Sequence, residues 1–333
     1  MAVKTAMDRE GGGTMLKNVW MCVVAVAVAV VSASATAQTQ RPVRVLVASS
    51  PGGPSDVQGR LLTPKMSESL AKTLIVDNRP SANGLLATEI CSKAEPDGAT
   101  VCVGNSGTHA VNATLYLKLP YDPIRDFVPI SQFSTTGMVL AANPRLPGAT
   151  VQDLAAHATN NPGKTNIAIA GATGQLAGDA LWARLGIKMN NVPYKGSSPS
   201  EMAVVAGESQ LSLLTPLASA AHIKSGRMKA YGITSSKRHP LLPNVRTVAE
   251  QGVAGYDFQF WNGLFAPAKT PNRTVRALNK AVRDALNAPE VKERFAQLGL
   301  VIVGNMPEEF AQVVKTDLEK FRKIILESGI TRL

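Results

Sequence analysis

The chain has 333 residues, of which 45% are hydrophobic. It is longer than one hydrophobic core usually organises, so we expect a folded protein of two domains. The formal net charge is +11, from 35 Lys and Arg residues that are scattered along the chain, and only 5% of residues are aromatic. Nucleic-acid binding requires a basic stripe with interleaved aromatic residues, so this composition argues against it. A mildly basic surface would instead attract small carboxylates.

The first 37 residues predict a signal peptide. Lys17 precedes an apolar run at 19–31 that is made almost wholly of Val and Ala, and residues 35–37 (Ala-Thr-Ala) are small, as a cleavage site requires. The run is too short for a spanning helix, which needs about 20 apolar residues. We therefore expect a mature protein that starts near Gln38 and is exported in soluble form to the periplasm.

Strands and helices alternate from residue 43 to residue 103. The pattern predicts strands at 43–48, 73–77 and 100–103, with helices at 56–71 and 84–94. This alternation implies a parallel α/β sheet, and short strands of continuous apolar character fit burial on both faces. The stretch 118–129 contains three prolines and predicts a loop.

The alternation restarts after a predicted strand at 138–142. Helices at 153–158, 175–185, 200–206 and up to residue 222 alternate with strands at 166–170, 191–194, 210–214 and 230–234. An aromatic-rich strand at 258–266 leads into helices at 272–287, 289–298 and 307–328, with a short strand at 301–303. These last helices have few strands of their own to cover, so we expect them to return to the first unit. The prediction is an α/β fold of two lobes with two crossing segments, the first lobe at 38–141 plus 266–333 and the second at 142–265.

Four loops of small residues each follow a predicted strand and precede a helix. They lie at 50–56 (Ser-Pro-Gly-Gly-Pro-Ser-Asp), 104–109, 171–175 and 194–200. Ligands of open α/β sheets bind at the carboxyl ends of strands, and the N–H groups at a helix start attract anions. Each loop alone can be explained as a turn that needs glycine for backbone reasons. Four of them at one cleft predict an anion-binding site.

Reactive chemistry finds little support in the sequence. Residues 104–108 (Gly-Asn-Ser-Gly-Thr) resemble a nucleophile elbow, but Thr108 stands where that motif needs glycine. His109 is more typical of a structural helix-start residue than of a base. We find no metal-binding spacing of His and Cys and no matched acid and base. The sequence therefore predicts binding without catalysis, cofactor or metal, and the alternative is an exported hydrolase that uses Ser106.

Two cysteines, Cys91 and Cys102, belong to the expected mature chain. An exported protein folds where disulfides form, and a helix followed by the next strand could bring the two together. Two separately buried thiols fit the sequence equally well, so both alternatives stay open.

Short blocks along nearly all of the mature chain resemble the Bordetella-uptake-gene (Bug) proteins, the periplasmic substrate-binding components of tripartite tricarboxylate transporters. The blocks are PGG at 51–53 with Asp56, VDNRP at 76–80, PDG at 96–98, SGTH at 106–109, LPYDP at 119–123, NPGK at 161–164, VPYKG at 192–196, HIKSG at 222–226, and PNV at 243–245 with TV at 247–248. The resemblance implies a type II periplasmic binding protein whose two lobes close on an organic acid. It also implies a monomer that delivers the acid to the membrane subunits of such a transporter, or, alternatively, a sensory receptor with a signalling partner.

In this family, loops that match 50–56 and 106–108 hold a ligand carboxylate, largely through backbone N–H groups and bridging waters, and the far lobe adds contacts. Carried over to this sequence, the predicted ligand-binding residues are Ser50, Pro51, Gly52, Gly53, Ser55, Asp56, Ser106, Gly107, Thr108, Ala170, Thr173, Gly174, Gln175, Tyr194, Gly196 and Ser197. The chain departs from the family at 173–175, where many members have Ser-Gly-His, and at 213–221, which looks shorter and lacks the usual Asp or Phe. The ligand could therefore be a di- or tricarboxylate, an aromatic acid or a nicotinate-like compound.

Overall fold

The computed structural model describes residues 41–327 and 332–333, and the predicted signal peptide lies outside them. The strands are β1 (Val43–Val47), β2 (Leu74–Asn78), β3 (Thr100–Asn105), β4 (Phe127–Gly137), β5 (Val139–Ala142), β6 (Asn166–Ile169), β7 (Asn190–Pro193), β8 (Leu211–Leu214), β9 (Lys229–Ile233), β10 (Gln259–Pro267) and β11 (Val301–Ile302). The helices are α1 (Pro54–Leu70), α2 (Leu85–Ser92), α3 (Asn112–Leu115), α4 (Val151–Asn160), α5 (Ala172–Leu185), α6 (Ser197–Ala206), α7 (Pro216–Lys224), α8 (Asn272–Asn287), α9 (Pro289–Gln297) and α10 (Pro307–Glu327). No helix in the described part of the chain is both long and apolar enough to cross a membrane.

The first sheet has the strand order β11-β4-β10-β3-β1-β2. β1 pairs in parallel with β2 and β3, as the alternation of strands and helices predicted, whereas β10 runs antiparallel to β3 and β4. Val45 and Val47 of β1 are buried in the core that forms around this sheet. α1 packs against α8, and α8 packs against β4, so the late helices do return to the first sheet.

The second sheet has the order β7-β6-β8-β5-β9. Its three neighbouring strands β7, β6 and β8 are parallel, and the helices α6, α5 and α7 follow them in the chain. Carboxyl ends of parallel strands lie at one edge of a sheet, so the starts of these three helices lie along the same edge. This edge is the part of the second lobe that faces the candidate site described below.

The chain changes sheets at Met138, between β4 and β5, and again between β9 and β10. β5 therefore belongs to the second sheet and β10 to the first, whereas the expected lobe borders at 141/142 and 265/266 placed most of β5 in the first lobe and most of β10 in the second. The reason lies in packing, because Trp261 and Phe265 of β10 pack against Phe310 of α10 in an aromatic cluster of the first lobe. The borders of the lobes as folding domains stay a prediction.

The strand β4 is the largest error of the sequence interpretation. The sequence predicts a loop at 118–129 and no element at 130–137, yet β4 runs from 127 to 137 and pairs along its length with β10. Its polar residues Ser131 and Gln132 and its Pro129 do not resemble a central strand. Pro129 is accommodated because it lies at an irregularity in the pairing with β10, beside Phe265, and beyond the short stretch where β11 pairs with β4.

Cys91 and Cys102 form a disulfide, with their Cα atoms 6.2 Å apart. The bond joins α2 to β3 and settles the alternative that the sequence left open. Both residues lie in the buried cluster that contains Phe265 and Phe310, so the disulfide fastens α2 onto the core of the first lobe.

Candidate functional site

A buried carboxylate holds the loop between β1 and α1. Asp56, only 2% exposed, accepts the N–H of Gly52 at 2.8 Å through Oδ2. Its Oδ1 accepts from Arg60 Nε and Asn78 Nδ2, both at 2.9 Å. Asn78 Nδ2 also donates to the carbonyl oxygen of Ser49 at 3.0 Å. The loop is thereby fixed at two points before any ligand arrives.

The helix start beside this loop presents backbone donors. Gly53 is the residue before the first turn of α1, and no side chain caps that turn. The first N–H groups of a helix have no acceptor within the helix, which leaves those of Ser55 and Asp56 available. The hydroxyl of Ser55 is already in use, because it donates to Oδ1 of the buried Asn262 at 2.6 Å. An anion at this end of α1 would therefore meet N–H groups and the positive end of the helix dipole.

The turn after β3 is closed by reciprocal hydrogen bonds. The N–H of Asn105 donates to Thr108 Oγ1, and the N–H of Thr108 donates to Asn105 Oδ1, both at 3.0 Å. Behind the turn, His109 Nδ1 lies 2.9 Å from Thr108 Oγ1, and its ring stacks on Phe265 with centroids 3.7 Å apart. Complete burial lowers the pKa of His109 to about 3, so the ring is neutral and supports the turn from within the core.

The second lobe contributes three helix starts. Gly171 precedes α5 and Gly196 precedes α6, and neither helix has a side-chain cap. Thr215 precedes α7, which begins with Pro216, and its side chain makes no capping bond either. These helices begin at the edge where β6, β7 and β8 end, so their free N–H groups and positive dipole ends converge on one region.

The two lobes are in contact across the cleft. Ser106 Oγ and Thr173 Oγ1 form a buried hydrogen bond of 2.9 Å. Gly196 approaches the first lobe so closely that a Cβ atom there would lie 3.2 Å from Ser50 Oγ. Ser198 Oγ lies 3.5 Å from the carbonyl oxygen of Pro51. The structure is thus a closed form in which both lobes surround the site.

Between the lobes lies a cavity of about 60 Å³. At roughly 10–15 Å³ for each water position, it has room for a few small groups only. Met138, Leu213 and Phe260 form an apolar part of its wall, and within the described chain no residue that lines it carries a charge. An anion bound here would be stabilised by N–H groups, hydroxyls and helix ends rather than by an ion pair.

A family model described as tripartite tricarboxylate transporter family receptor matches residues 59–330. The chain belongs to this receptor family. A Pseudomonas sp. strain P51 protein named for the tcbD-tcbE intergenic region is 36% identical to it over 290 residues, which are 86% of this chain and 86% of the relative.

Two solved structures resemble the receptor over nearly its whole described length. The periplasmic binding protein BugD is 30% identical, with a TM-score of 0.84 over 88% of this chain and 99% of BugD. MatC from Rhodopseudomonas palustris, solved with bound malate, is 31% identical, with a TM-score of 0.83 over 86% of this chain and 99% of MatC. The predicted α/β fold of two lobes, typical of periplasmic binding proteins, and the resemblance to the Bug proteins are confirmed.

The receptor places its predicted site residues in two groups. Those that line the cavity are Ser55, Gly107, Thr108, Ala170, Thr173, Gly174, Gly196 and Ser197. Those that do not line it are Ser50, Pro51, Gly52, Gly53, Asp56, Ser106, Gln175 and Tyr194. Several members of the second group hold the cavity in shape: Asp56 fixes the first loop, and Ser106 bonds to Thr173. Direct contact of any of these residues with a ligand stays a prediction.

Sequence interpretation missed part of the cavity wall. The missed residues are Ala48, Ser49, Ser81, Asn83, Gly84, Met138, Leu213, Thr215 and Phe260, whereas Pro54, Asn105, Gly171 and Ala172 lie in the predicted loops but were not singled out. The pair Asn83-Gly84 is a turn signal that could have been found, since both residues have positive φ values of 51° and 71°. Thr215 follows a strand and precedes a helix like the four predicted loops, but it was overlooked because no glycine marks that turn.

Proposed function

We propose that this receptor, exported by its signal peptide, binds a small organic acid through a carboxylate in the cleft and delivers it to the membrane subunits of a tripartite transporter. One observation carries the proposal: three helices whose starts follow glycine, α1, α5 and α6, begin at a single uncharged cavity that both lobes enclose. The malate held by MatC, a relative of similar fold, supports the same class of ligand.

The energetics favour a carboxylate over a neutral group. A hydrogen bond to a charged acceptor contributes about 1.5–3 kcal/mol, against about 1 kcal/mol for a neutral one. Each helix start adds about 0.3–1 kcal/mol for an anion, and more where it is partly buried. Because donors come from both lobes, a ligand obtains all of them only in the closed form and so shifts the population toward it.

Binding without turnover fits the surroundings of Ser106. A nucleophilic serine needs a base within hydrogen-bond reach. The Ser106 hydroxyl is instead bonded to Thr173, and the ring of His109 is directed to Thr108. Ester turnover by the purified protein that disappears in Ser106→Ala would contradict the receptor proposal.

The proposal is tested by calorimetry and small-angle scattering on the purified protein. Diacids of four to six carbons are titrated beside their neutral diamides, and the radius of gyration is measured with each. We expect a diacid to bind and to reduce the radius of gyration, and we expect its diamide to do neither. Compaction by both members of a pair, or binding of no acid in the series, would contradict the proposal.

A further inference from the structure

The apolar part of the cavity wall is built from two fixed side chains and a third that can adapt. Leu213 is fixed against α5: a Cβ added at Gly174 would lie 3.5 Å from Leu213 Cβ, and one added at Gly178 would lie 3.1 Å from Leu213 Cδ1. Phe260 is a rigid ring on β10, and its backbone pairs with Thr136 of β4. Neither side chain can move without shifting the element that carries it or the one it packs on.

Met138 is the third side chain of this wall, and its backbone lies where the chain first changes sheets. Its N–H donates to Thr234 Oγ1 at 2.8 Å, and its carbonyl oxygen accepts from the N–H of Thr234, also at 2.8 Å. The hydroxyl of Thr234 donates in turn to the carbonyl oxygen of Phe258, on the second crossing segment, at 2.6 Å. The backbone of Met138 is thus held in place independently of its side chain.

The side chain of Met138 reaches from this crossing to the start of α5. A Cβ added at Gly174, in the first turn of α5, would lie 3.3 Å from Met138 Cε. The side chain is only 4% exposed, so it fills space inside the closed protein. Methionine is unbranched and has several rotatable bonds, so its tip can adopt a new position while the backbone stays fixed.

We propose that Met138 determines the chain length of the acid that the receptor binds, because its side chain occupies the end of the cavity into which a longer ligand would extend. This inference rests on the proposed function, in which helix starts hold the carboxylate and the rest of the ligand lies against the apolar wall. The cavity of about 60 Å³ leaves little space beyond the carboxylate, so each further chain atom must compete with Met138 for room.

Two opposing effects set the preferred length. Burying one more methylene group of the ligand strengthens binding about fourfold. Once the free space is filled, a further methylene forces side chains out of their preferred rotamers, and this overpacking reverses the gain. A shorter side chain at residue 138 would delay that reversal, and the preferred acid would become longer.

The test uses the full chain and isothermal calorimetry with two series of straight-chain acids, one with a single carboxylate (two to eight carbons) and one with a carboxylate at each end (three to eight carbons). Met138→Ala removes every side-chain atom beyond Cβ, whereas Met138→Leu roughly conserves the volume. Met228→Ala is the matched control, because Met228 is also buried in a core of the second lobe but does not line the cavity.

We expect Met138→Ala to move the best-bound length by about two carbons toward longer acids, in the series that the wild type binds more tightly. Met138→Val, which is shorter than methionine but disturbs the fold less than alanine, should move it by about one carbon in the same direction. Met138→Leu and Met228→Ala should keep the wild-type optimum, although Met228→Ala lowers the melting temperature.

The outcomes separate this inference from the receptor proposal. An unchanged optimum in both Met138→Ala and Met138→Val, or an equal shift in Met228→Ala, would overturn the role of Met138 and leave the receptor proposal standing. If the wild type bound no acid of either series, the receptor proposal would fail, and this inference with it.

Discussion

The helix start in the first lobe and those in the second lobe are built differently. The loop before α1 is fixed by Asp56, which bonds to Gly52, Arg60 and Asn78, and the hydroxyl of Ser55 is tied to Asn262. The starts of α5 and α6 follow single glycines without a side-chain cap. Under the proposed function, the first lobe would offer a prebuilt anion site, and the second lobe would add its donors on closure.

This difference assigns an order to binding. We expect the first lobe to capture the acid while the cleft is open, because a prebuilt site loses little conformational entropy when it binds. Closure would then add the donors of the second lobe and the buried Ser106–Thr173 hydrogen bond. Substitutions in the first lobe should impair capture, and substitutions at the second-lobe starts should impair closure.

The largest effect is expected from Asp56→Ala. Without the carboxylate the N–H of Gly52 and the amide of Asn78 lose an acceptor, and the loop keeps only the bond from Asn78 to the carbonyl oxygen of Ser49. We expect the affinity for the acid to fall about 100-fold through lost preorganisation. The free energy of unfolding should fall by about 1–3 kcal/mol because buried partners are left unsatisfied. Calorimetry and urea unfolding measure the two quantities.

Asp153→Ala is the matched control for this substitution. Asp153 also accepts backbone N–H groups before a helix, those of Ala149 and Thr150 at 2.9 and 3.0 Å, but α4 does not border the cavity. We expect this substitution to lower the stability slightly and to leave the affinity unchanged. Similar losses of affinity in both variants would show that Asp56 acts through overall stability.

Gly196→Ala should have the next largest effect, and it acts on closure. Gly196 has a φ of +115°, and an added Cβ would lie 3.2 Å from Ser50 Oγ and 3.4 Å from Ser50 N across the cleft. We expect the affinity to fall about 10- to 30-fold, because the closed form is strained while the first-lobe site is intact. Scattering should show less compaction by the acid than in the wild type.

Gly186→Ala is the control for an alanine at a positive φ that lies away from the cleft. Gly186 ends α5 with a φ of +67°, and an added Cβ would meet no atom within 4 Å. The substitution should cost about 1 kcal/mol of stability, as an alanine in the left-handed region does. Its affinity and compaction should match those of the wild type. A loss of compaction in Gly186→Ala equal to that in Gly196→Ala would refute the closure mechanism.

Much of this arrangement follows from the sequence, and the exceptions have physical causes. The strand β1 was predicted because it is mostly apolar and β-branched, and the loop at 50–56 because its glycines and prolines end that run. β4 was missed because buried polar residues such as Ser134, which bonds to Gln58, satisfy each other only in the folded protein. No local pattern reveals such a pairing between residues 76 positions apart.

The site shows the same limit. Sequence could mark helix starts by their glycines, but it could not show that Asp56 has all its oxygens engaged by the protein, or that Ser106 meets Thr173 from the other lobe. Both facts depend on which elements become neighbours in space. Thr215 illustrates the opposite case, since its buried hydroxyl has no hydrogen-bond partner in the described part of the chain.

A third prediction concerns the effect of low pH on the stability of the first lobe. The pKa of His109 is lowered to about 3 in the folded protein, from 6.5 in the unfolded chain. Below pH 6.5 the unfolded chain therefore binds a proton that the folded protein does not. The stability contributed by the neutral ring is complete above pH 6.5 and is lost as the pH falls toward 3, at about 1.4 kcal/mol per pH unit.

Replacement by phenylalanine isolates this contribution. His109→Phe keeps an aromatic ring beside Phe265 and removes the titrating group. Urea unfolding at pH 7, 6 and 5 should show that the free energy of unfolding falls less steeply with decreasing pH in the variant. The two slopes should differ by the contribution of about one bound proton. If the free energy of unfolding depended on pH in the same way in wild type and variant, His109 would not be the group that makes the stability sensitive to pH.

The smallest effect is expected at a residue that lines the cavity itself. The hydroxyl of Ser55 donates its proton to Asn262, so it has none to offer an anion, and the ligand meets only the backbone N–H of this residue. Ser55→Ala should therefore change the affinity by less than about twofold, although it loses about 1 kcal/mol of stability with the buried hydrogen bond. Ser49 is its matched opposite in the first lobe, because Ser49 lines the same cavity and its buried Oγ has no partner among the described residues. Ser49→Ala should leave stability unchanged and weaken acid binding about fivefold. Calorimetry can distinguish this loss of affinity from the smaller change expected for Ser55→Ala. If Ser55→Ala weakened binding more than Ser49→Ala, the side chain of Ser55 would have to turn toward the ligand, and the first-lobe site would not be prebuilt.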